Sequence, residues 1–401
     1  MTILHTIIDI QLNEKSEELV KKGHPLIPRN GVLNAQALGK EGSIIRLVDR
    51  KGRFYGKGYY GEQNKGIGWV LTRKEEEEID FPLFNAKISA ALHKRIHYFN
   101  DPQTTAFRVF NGEGDGIGGV TIDYYDGYFM VSWYSEGIYS FKDFVYQALE
   151  QLTEYKGIYE KKRFDTSGQY IEQDDFVQGT RGDFPIIVKE NGMHFAVDLN
   201  DGAMTGIFLD QRDVRKVIRD KYSDGRQVLN TFSYTGAFSV AAALGGATKT
   251  ISVDLASRSE AKTIEQFSVN GIDYEQQEIR VFDVFDYFRY AKRHELKFGL
   301  VILDPPSFAR SKKRTFSTAK DYPKLMEDAI AITEKNGIIV ASTNNASFGM
   351  KKFKAFIDQA CKTTKTKYKI LEEYGLPNDF RTMRQFPEMN YLKVVILQKI
   401  N

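Results

Sequence analysis

From residue 227 to its end, the chain alternates short apolar runs with longer amphipathic stretches, and this rhythm limits its fold more than any other feature. The apolar runs are 227–230, 249–253, 279–282, 299–303 and 337–342, with a last one at 391–398. Helices are expected between them. Such alternation builds a mostly parallel sheet, so an α/β fold is expected. In open sheets of this kind ligands bind at the carboxyl ends of the strands. The stretch "VILDPPSFARSKK" shows what one of those ends carries. Proline has no N–H for a sheet ladder, so the strand over 301–303 stops before Pro305. Asp304, Ser307 and Phe308 then stand at its end, followed by a burst of positive charge.

The neighbouring strand ends are informative too. "QVLNTFSYTGAFSVAAALGG" reads as strand, turn and helix, with Gly236 in the turn and the helix starting near Ala237. A glycine there lets a ligand approach the backbone closely. The turn has one glycine, not the G-x-G-x-x-G spacing of a dinucleotide site. "TISVDLAS" ends the second strand on Asp254, where a carboxylate can accept from ribose hydroxyls. "RVFDVFDYF" puts Asp283 after the third, where it can accept from an adenine amino group. Any one of these acids can also cap a helix. Three consecutive strand ends, each with an acid or a glycine, point to a nucleoside cofactor. One glycine, no diphosphate cradle and a ribose acid fit S-adenosylmethionine better than NAD.

Upstream the pattern differs. The first 75 residues hold short strand-like runs between glycines, as in "GSIIRLVDRKGRFYGKGYYG" and "IGWVLTRK", and predict a small β unit. "KEEEEIDF" at 74–81 is a charged break, and 88–99 is expected to be helical. "FRVFNGEGDGIGGVTIDYYDGYFMVSWYS" reads as strands joined by turns, and "FKDFVYQALEQL" as an amphipathic helix. The glycine run at 111–119 lacks the Gly-Lys-Ser/Thr ending of a phosphate loop and is read as a structural loop. "FPIIVKENGMHFAVDL" is a hairpin, with Asn191-Gly192 supplying a type I′ turn.

Composition closes off other classes. A single cysteine, Cys361, excludes an internal disulfide framework and a cysteine-rich zinc site. His93 and His97 share a helical face without a glutamate between them or a third ligand, so no metal is expected. The N-terminus has no basic region before its apolar run, and no apolar run reaches membrane-spanning length. A soluble, cytoplasmic protein with no membrane partner is expected. The net charge is +3, so affinity for nucleic acid must come from local patches.

"NTFSYTGAFSVAAALGGATKTISVDLAS", "FDVFDYF" and "LDPPSFARSKK" resemble the motifs of class I methyltransferases that modify large-subunit ribosomal RNA. "GIFLDQR" at 206–212 is similar to the lead-in motif of the RNA cytosine-C5 methyltransferase family with an N-terminal PUA domain. "NGEGDGIGGVTID" resembles the middle domain of that family. The resemblance covers nearly the whole chain. It implies a PUA-like β-barrel that binds RNA over 1–75 and a small α+β domain over 76–190. A Rossmann-like, S-adenosylmethionine-dependent methyltransferase domain would follow over 191–401. Asn230, Phe232 and Gly236 would line the methionine end of the cofactor. Asp254 would hold the ribose, Asp283 the adenine, and Asp304 would face the reacting centre. Phe208, Asp210, Gln211 and Arg212 would flank the pocket. The implied partner is RNA, either 23S-type rRNA or a large-subunit assembly intermediate. A monomer and a homodimer both stay open.

The target atom is a separate question. Cytosine C5 is a poor nucleophile, and enzymes that methylate it first add a cysteine thiolate to C6. In the resembled family that cysteine follows the fifth strand. Here the position reads "IIVASTNNASFGMKKF", with Ser342-Thr343-Asn344-Asn345 and no cysteine. Cys361, in "FKAFIDQACKTT", reads as a small helix residue. A second resemblance, to guanine-N7 methyltransferases of large-subunit rRNA, suits this gap. Those enzymes carry Asp-Pro-Pro, a hydroxyl residue, Phe, a basic run and a Ser-Asn-Asn-like segment. Guanine N7 has a free lone pair, so transfer needs only alignment. Asp304 would stabilise the charged product, Asn344 or Asn345 would bond the base edge, and Phe308 would stack on it. Asp-Pro-Pro also suits an exocyclic amine, whose hydrogens Asp304 and the Pro305 carbonyl would accept. The expected function is methylation of an rRNA base, with guanine N7 ahead of cytosine C5. A non-catalytic, RNA-binding assembly factor is the other alternative. Arg310, Lys312, Lys313, Arg314, Lys320 and Lys324 would contact phosphates. Lys21, Lys22, Arg29, Arg46, Arg50, Lys51 and Arg53 would form a second basic surface.

Overall fold

The glycine-spaced runs at the start of the chain form a five-stranded sheet in the computed structural model, which describes residues 7–62, 66–164, 174–310 and 315–401. Its strands are β1 (Ile7–Gln11), β2 (Leu26–Pro28), β3 (Ile44–Val48), β4 (Phe54–Tyr60) and β5 (Gly66–Thr72), with α1 (Glu14–Lys21) after β1. The order is β1-β3-β4-β5-β2, and only β1 and β3 run parallel. A Cβ on Gly58 would lie 1.9 Å from the Trp69 carbonyl oxygen, so the close approach of β4 and β5 requires glycine. Ile10, Leu12, Val20, Ile45 and Leu47 fill the core of this sheet. The basic surface expected here is largely neutralised. Lys21 pairs with Glu17, Lys22 with Glu18, Arg29 with Glu62, Arg46 with Asp9 and Glu75, and Arg53 with Asp49.

The helix expected over 88–99 starts earlier, because Asp80 accepts the Leu83 N–H and caps α2 (Phe81–Lys94). It breaks at Arg95 before α3 (Ile96–Phe99). A second sheet holds β6 (Ala106–Asn111), β7 (Val120–Tyr125), β8 (Tyr128–Trp133), β9 (Gly157–Lys162) and β10 (Phe176–Gly179), in the order β10-β9-β8-β7-β6. Helices α4 (Glu136–Tyr139) and α5 (Lys142–Leu152) lie between β8 and β9. The glycine run at 111–119 serves packing. Arg95 and Asp115, each about 1% exposed, pair at 2.7 Å across it. Arg95 also donates to the Asp379 carbonyl (2.6 Å), and Asn111 Nδ2 donates to the Arg381 carbonyl (2.8 Å). Residues 378–389 therefore complete this core. By contacts, both sheets form one compact unit of residues 1–186, 198–205 and 378–389.

The second unit comprises 187–197, 206–377 and 390–401. It takes in, from residue 187 onward, the hairpin of β11 (Ile186–Glu190) and β12 (Met193–Val197), turned at Asn191 (φ 49°) and Gly192 (φ 81°). Helix α6 (Arg212–Val217) leads to β13 (Gln227–Thr231), and α7 (Ala237–Leu244) to β14 (Lys249–Asp254). Helix α8 (Ser259–Ser268) precedes β15 (Glu278–Val281), and α9 (Val284–Arg293) precedes β16 (Phe298–Leu303). A small hairpin follows, β17 (Phe308–Arg310) with β18 (Thr315–Ser317), then α10 (Thr318–Ile332) and β19 (Thr333–Thr343). Last come α11 (Met350–Thr363), β20 (Tyr368–Tyr374) and β21 (Lys393–Lys399). The seven-stranded sheet has the order β15-β14-β13-β16-β19-β21-β20, and its first five strands are parallel. The strand order reverses at β13, between β14 and β16, which opens a crevice at the carboxyl ends. Cys361, on α11, is buried in the core of this unit. Among the described residues, no helix is long and apolar enough to cross a membrane.

Candidate active site

The crevice is a cavity of about 370 Å³, within the range of small-molecule sites. Phe208, Asp210, Gln211, Phe232, Asp254, Asp283, Asp304, Pro305 and Asn344 all line it. Four other expected residues, Arg212, Asn230, Gly236 and Phe308, do not. Arg212 and Asn230 are buried, and Phe308 is 62% exposed. Gly236 serves helix packing: a Cβ there would lie 2.5 Å from Thr263 Cγ2.

The turn after β13 forms one wall. Phe232 (φ 55°), Tyr234 (φ 54°) and Gly236 (φ 79°) are all left-handed, a costly conformation for the two aromatic residues. Hydrogen bonds hold it. The Ser233 N–H donates to the Val253 carbonyl (3.1 Å), the Tyr234 N–H to Asp254 Oδ2 (2.9 Å), and the Gly236 N–H to the Ser233 carbonyl (2.8 Å). Asp254 Oδ1 accepts the Ala256 N–H (2.9 Å). Asp283 caps α9 by accepting from Phe285 and Asp286. Both acids thus shape backbone while also lining the cavity.

Asp304 follows β16 and meets the lead-in segment. Gln211 Nε2 donates to Asp304 Oδ1 (3.1 Å) and to Ser342 Oγ (2.9 Å). Burial pushes the Asp304 carboxyl up to about 6; the Ser342 hydrogen bond opposes this, and nearby Asp210 adds to it. Gln211 Oε1 is buried with no partner among the described residues. Three residues after Asp304, Ser307 Oγ donates to Asn344 Oδ1 (2.6 Å).

Arg215 also lines the cavity, and sequence reasoning missed it. It forms a two-point ion pair with Glu190, 2.7 Å at each contact, with both side chains almost fully buried. It donates as well to the Phe208 carbonyl (2.6 Å). Nothing in "RDVRKVIRDK" separates this arginine from the more exposed Lys216, Arg219 and Lys221, and its partner stands 25 positions upstream. Of the expected phosphate contacts, Arg310 lines the cavity from β17 and Lys320 is exposed. Lys324 is paired with Glu327 and Asp328. Lys312, Lys313 and Arg314 lie outside the described residues.

A family model for S-adenosylmethionine-dependent methyltransferases matches residues 108–384, and one for PUA-like domains matches 10–73. A Bacillus subtilis (strain 168) protein named "Putative ribosomal RNA large subunit methyltransferase YwbD" is 62% identical over 95% of this chain and 96% of its own length. "Ribosomal RNA large subunit methyltransferase I" of Aeromonas salmonicida (strain A449) is 27% identical over 97% of this chain and 98% of its own. The crystal structure of SMU.776 complexed with SAH is 38% identical, with a TM-score of 0.89, and covers 98% of this chain and 100% of that one.

The lining suits the cofactor that this family implies. Four carboxylates, Asp210, Asp254, Asp283 and Asp304, outnumber the two lining cations, Arg310 and Arg215, and Arg215 is matched by Glu190. Such a lining favours a cationic sulfonium ligand with an ammonium group and ribose hydroxyls, and repels a dinucleotide diphosphate. The orphaned Gln211 Oε1 adds an acceptor on the same wall. The chain is therefore a class I S-adenosylmethionine-dependent methyltransferase with an N-terminal PUA-like domain, and it belongs to that methyltransferase family.

Proposed function

We propose that this enzyme methylates a base of large-subunit ribosomal RNA. The observation that carries the proposal is a polar wall for a flat base inside the cofactor cavity. Asp304, Pro305 and Asn344 line that cavity, and the exposed ring of Phe308 follows the first two in the chain. Similarity over nearly the full length to proteins named ribosomal RNA large subunit methyltransferases supports the choice of RNA. In this reading Asp254 holds the ribose and Asp283 the adenine. Phe308 stacks on the target base, and Arg310 takes a phosphate. S-adenosylmethionine, when bound, supplies an electrophilic methyl group. The protein orients the base toward it and excludes water.

For the receiving atom, the comparisons weigh toward cytosine C5. The match to proteins named methyltransferase I takes in nearly the whole chain, PUA-like domain included, and this is the architecture of the cytosine-C5 resemblance. A purine nitrogen, guanine N7 first, is the second reading, and one local observation favours it. Cys361 is 2% exposed, does not line the cavity, and has its thiol pushed up to about 11 by burial. It offers no thiolate for addition to C6.

Mass mapping of rRNA from cells with and without the gene tests the proposal. One large-subunit base should lose its methyl, and purified enzyme should restore it. If no large-subunit nucleotide changes, the proposal fails. RNA carrying 5-fluorocytosine separates the two atoms. Cysteine addition would leave a covalent enzyme–RNA adduct; no adduct, with the methyl on a purine nitrogen, selects the second reading. Asp254→Ala should weaken S-adenosylmethionine binding by ~1.5–3 kcal/mol, roughly tenfold or more, by calorimetry. Unchanged affinity would leave Asp254 only its role in the Tyr234–Ala256 turn.

A further inference from the structure

Lys393 opens β21 and is 3% exposed. Among the described residues no carboxylate pairs with it, and burial alone lowers its ammonium to about 8. Its Nζ donates to two backbone carbonyls, Asn345 (2.6 Å) and Tyr391 (2.5 Å), and lies 5.2 Å from the centre of the Phe348 ring. Two carbonyls and a ring are a poor replacement for hydration of a full charge. A methionine would fill similar space without that cost. A cation kept here calls for a reason beyond packing.

Its two acceptors stand behind two walls of the cavity. Asn345 follows Asn344, which lines the cavity and accepts from Ser307. Asn345 Nδ2 in turn donates to Thr318 Oγ1 (2.9 Å), at the start of α10. Tyr391 donates through its hydroxyl to Asp210 Oδ2 (2.8 Å). Asp210 precedes Gln211, the residue that holds Asp304. One ammonium thus joins the turn carrying Asn344 to the segment that orients Asp304.

We propose that Lys393 is a positioning residue for methyl transfer: it ties the Asn344–Asn345 turn to Tyr391 and so fixes the spacing across the substrate side of the pocket. The inference rests on the methyl-transfer reading above and names how that site is held. Lys393 itself does not line the cavity. The residues it spaces are those that would flank the base, while the acids assigned to ribose and adenine stand elsewhere, Asp254 at the end of β14 and Asp283 at the start of α9. Misplacement of about 1 Å at a reacting centre is enough to slow a reaction substantially.

The test compares wild type with Lys393→Met, Lys393→Arg and Lys393→Gln, using large-subunit rRNA from cells lacking the gene. Lys393→Met should lower kcat at least tenfold, with the S-adenosylmethionine Kd within threefold of wild type. Lys393→Arg, which keeps charge and donors, should recover most of the loss. If Lys393→Met does not fold, Lys393→Gln decides, because it keeps two donors without a buried charge. It should bind the cofactor normally and turn over between wild type and Lys393→Arg on one side and inactive enzyme on the other. A wild-type kcat in Lys393→Met would overturn the proposal. So would a joint fall of kcat and cofactor affinity in both Lys393→Met and Lys393→Gln, which marks a general structural role. A wild-type enzyme that binds S-adenosylmethionine but leaves this rRNA unmethylated would overturn the substrate reading, and the positioning role with it.

Discussion

Asp304→Asn should slow methyl transfer on the order of 100-fold, and weaken S-adenosylmethionine binding far less. Asparagine keeps the shape and an acceptor for Gln211, so the variant removes charge and little else. The wild-type carboxyl, raised to about 6 by burial and by Asp210, is ionised at neutral pH. In the proposed purine-nitrogen reading it would stand where the methylated base gains positive charge. The sign of the pH dependence follows. Below about 6 the group is protonated and neutral, so the rate should rise as pH increases through that value and then level off. The asparagine variant has no proton to lose there and should lack this rise. Single-turnover rates from pH 5 to 8 on both proteins provide the measurement. Equal rates at neutral pH would remove the carboxylate from the chemistry.

Glu190→Gln should cost about 3–5 kcal/mol of stability, because it leaves the Arg215 guanidinium buried without its counter-charge. For a unit of this size that is a fall in Tm of roughly 10 °C. The loss should also reach the cavity, since Arg215 holds the Phe208 carbonyl on the lead-in segment. Replacing both partners, Glu190→Leu with Arg215→Met, should recover much of the stability, as no lone charge remains. Thermal unfolding of the single and double variants checks this. A single variant as stable as wild type would show that the pair is hydrated in solution.

Much of the sheet and half of the pocket are legible in the sequence. Four of the five parallel strands, β13, β14, β16 and β19, follow from apolar runs because they are buried on both faces, which leaves few polar positions; β15, at the edge, is half-exposed. Strand β20 escaped for the opposite reason. It lies at the sheet edge, and Lys369, Glu372 and Glu373 break up its apolar pattern. Asp254, Asp283 and Asp304 could be picked out because strand ends in such sheets have a fixed direction. Arg215 and Lys393 could not. Their significance lies in burial, and burial depends on partners far away in the chain. The same limit explains the N-terminal cations. Glu17 and Glu18 stand four positions before Lys21 and Lys22, so those two pairs were visible in principle. Glu62 for Arg29 and Glu75 for Arg46 come together only on folding.

Residues 378–389 set a timetable for synthesis. A nascent chain emerges N-terminus first, and its early units ordinarily fold as they leave the ribosome. Here Arg95 and Asn111 need the carbonyls of Asp379 and Arg381, and these are made when all but about the last twenty residues have been translated. Until then the earliest part of the protein carries an arginine and an amide with acceptors missing. A stop codon anywhere before residue 378 would therefore injure the N-terminal unit as well as the sheet it truncates. For the same reason the PUA-like and middle parts cannot be passed to another protein as one uninterrupted gene segment.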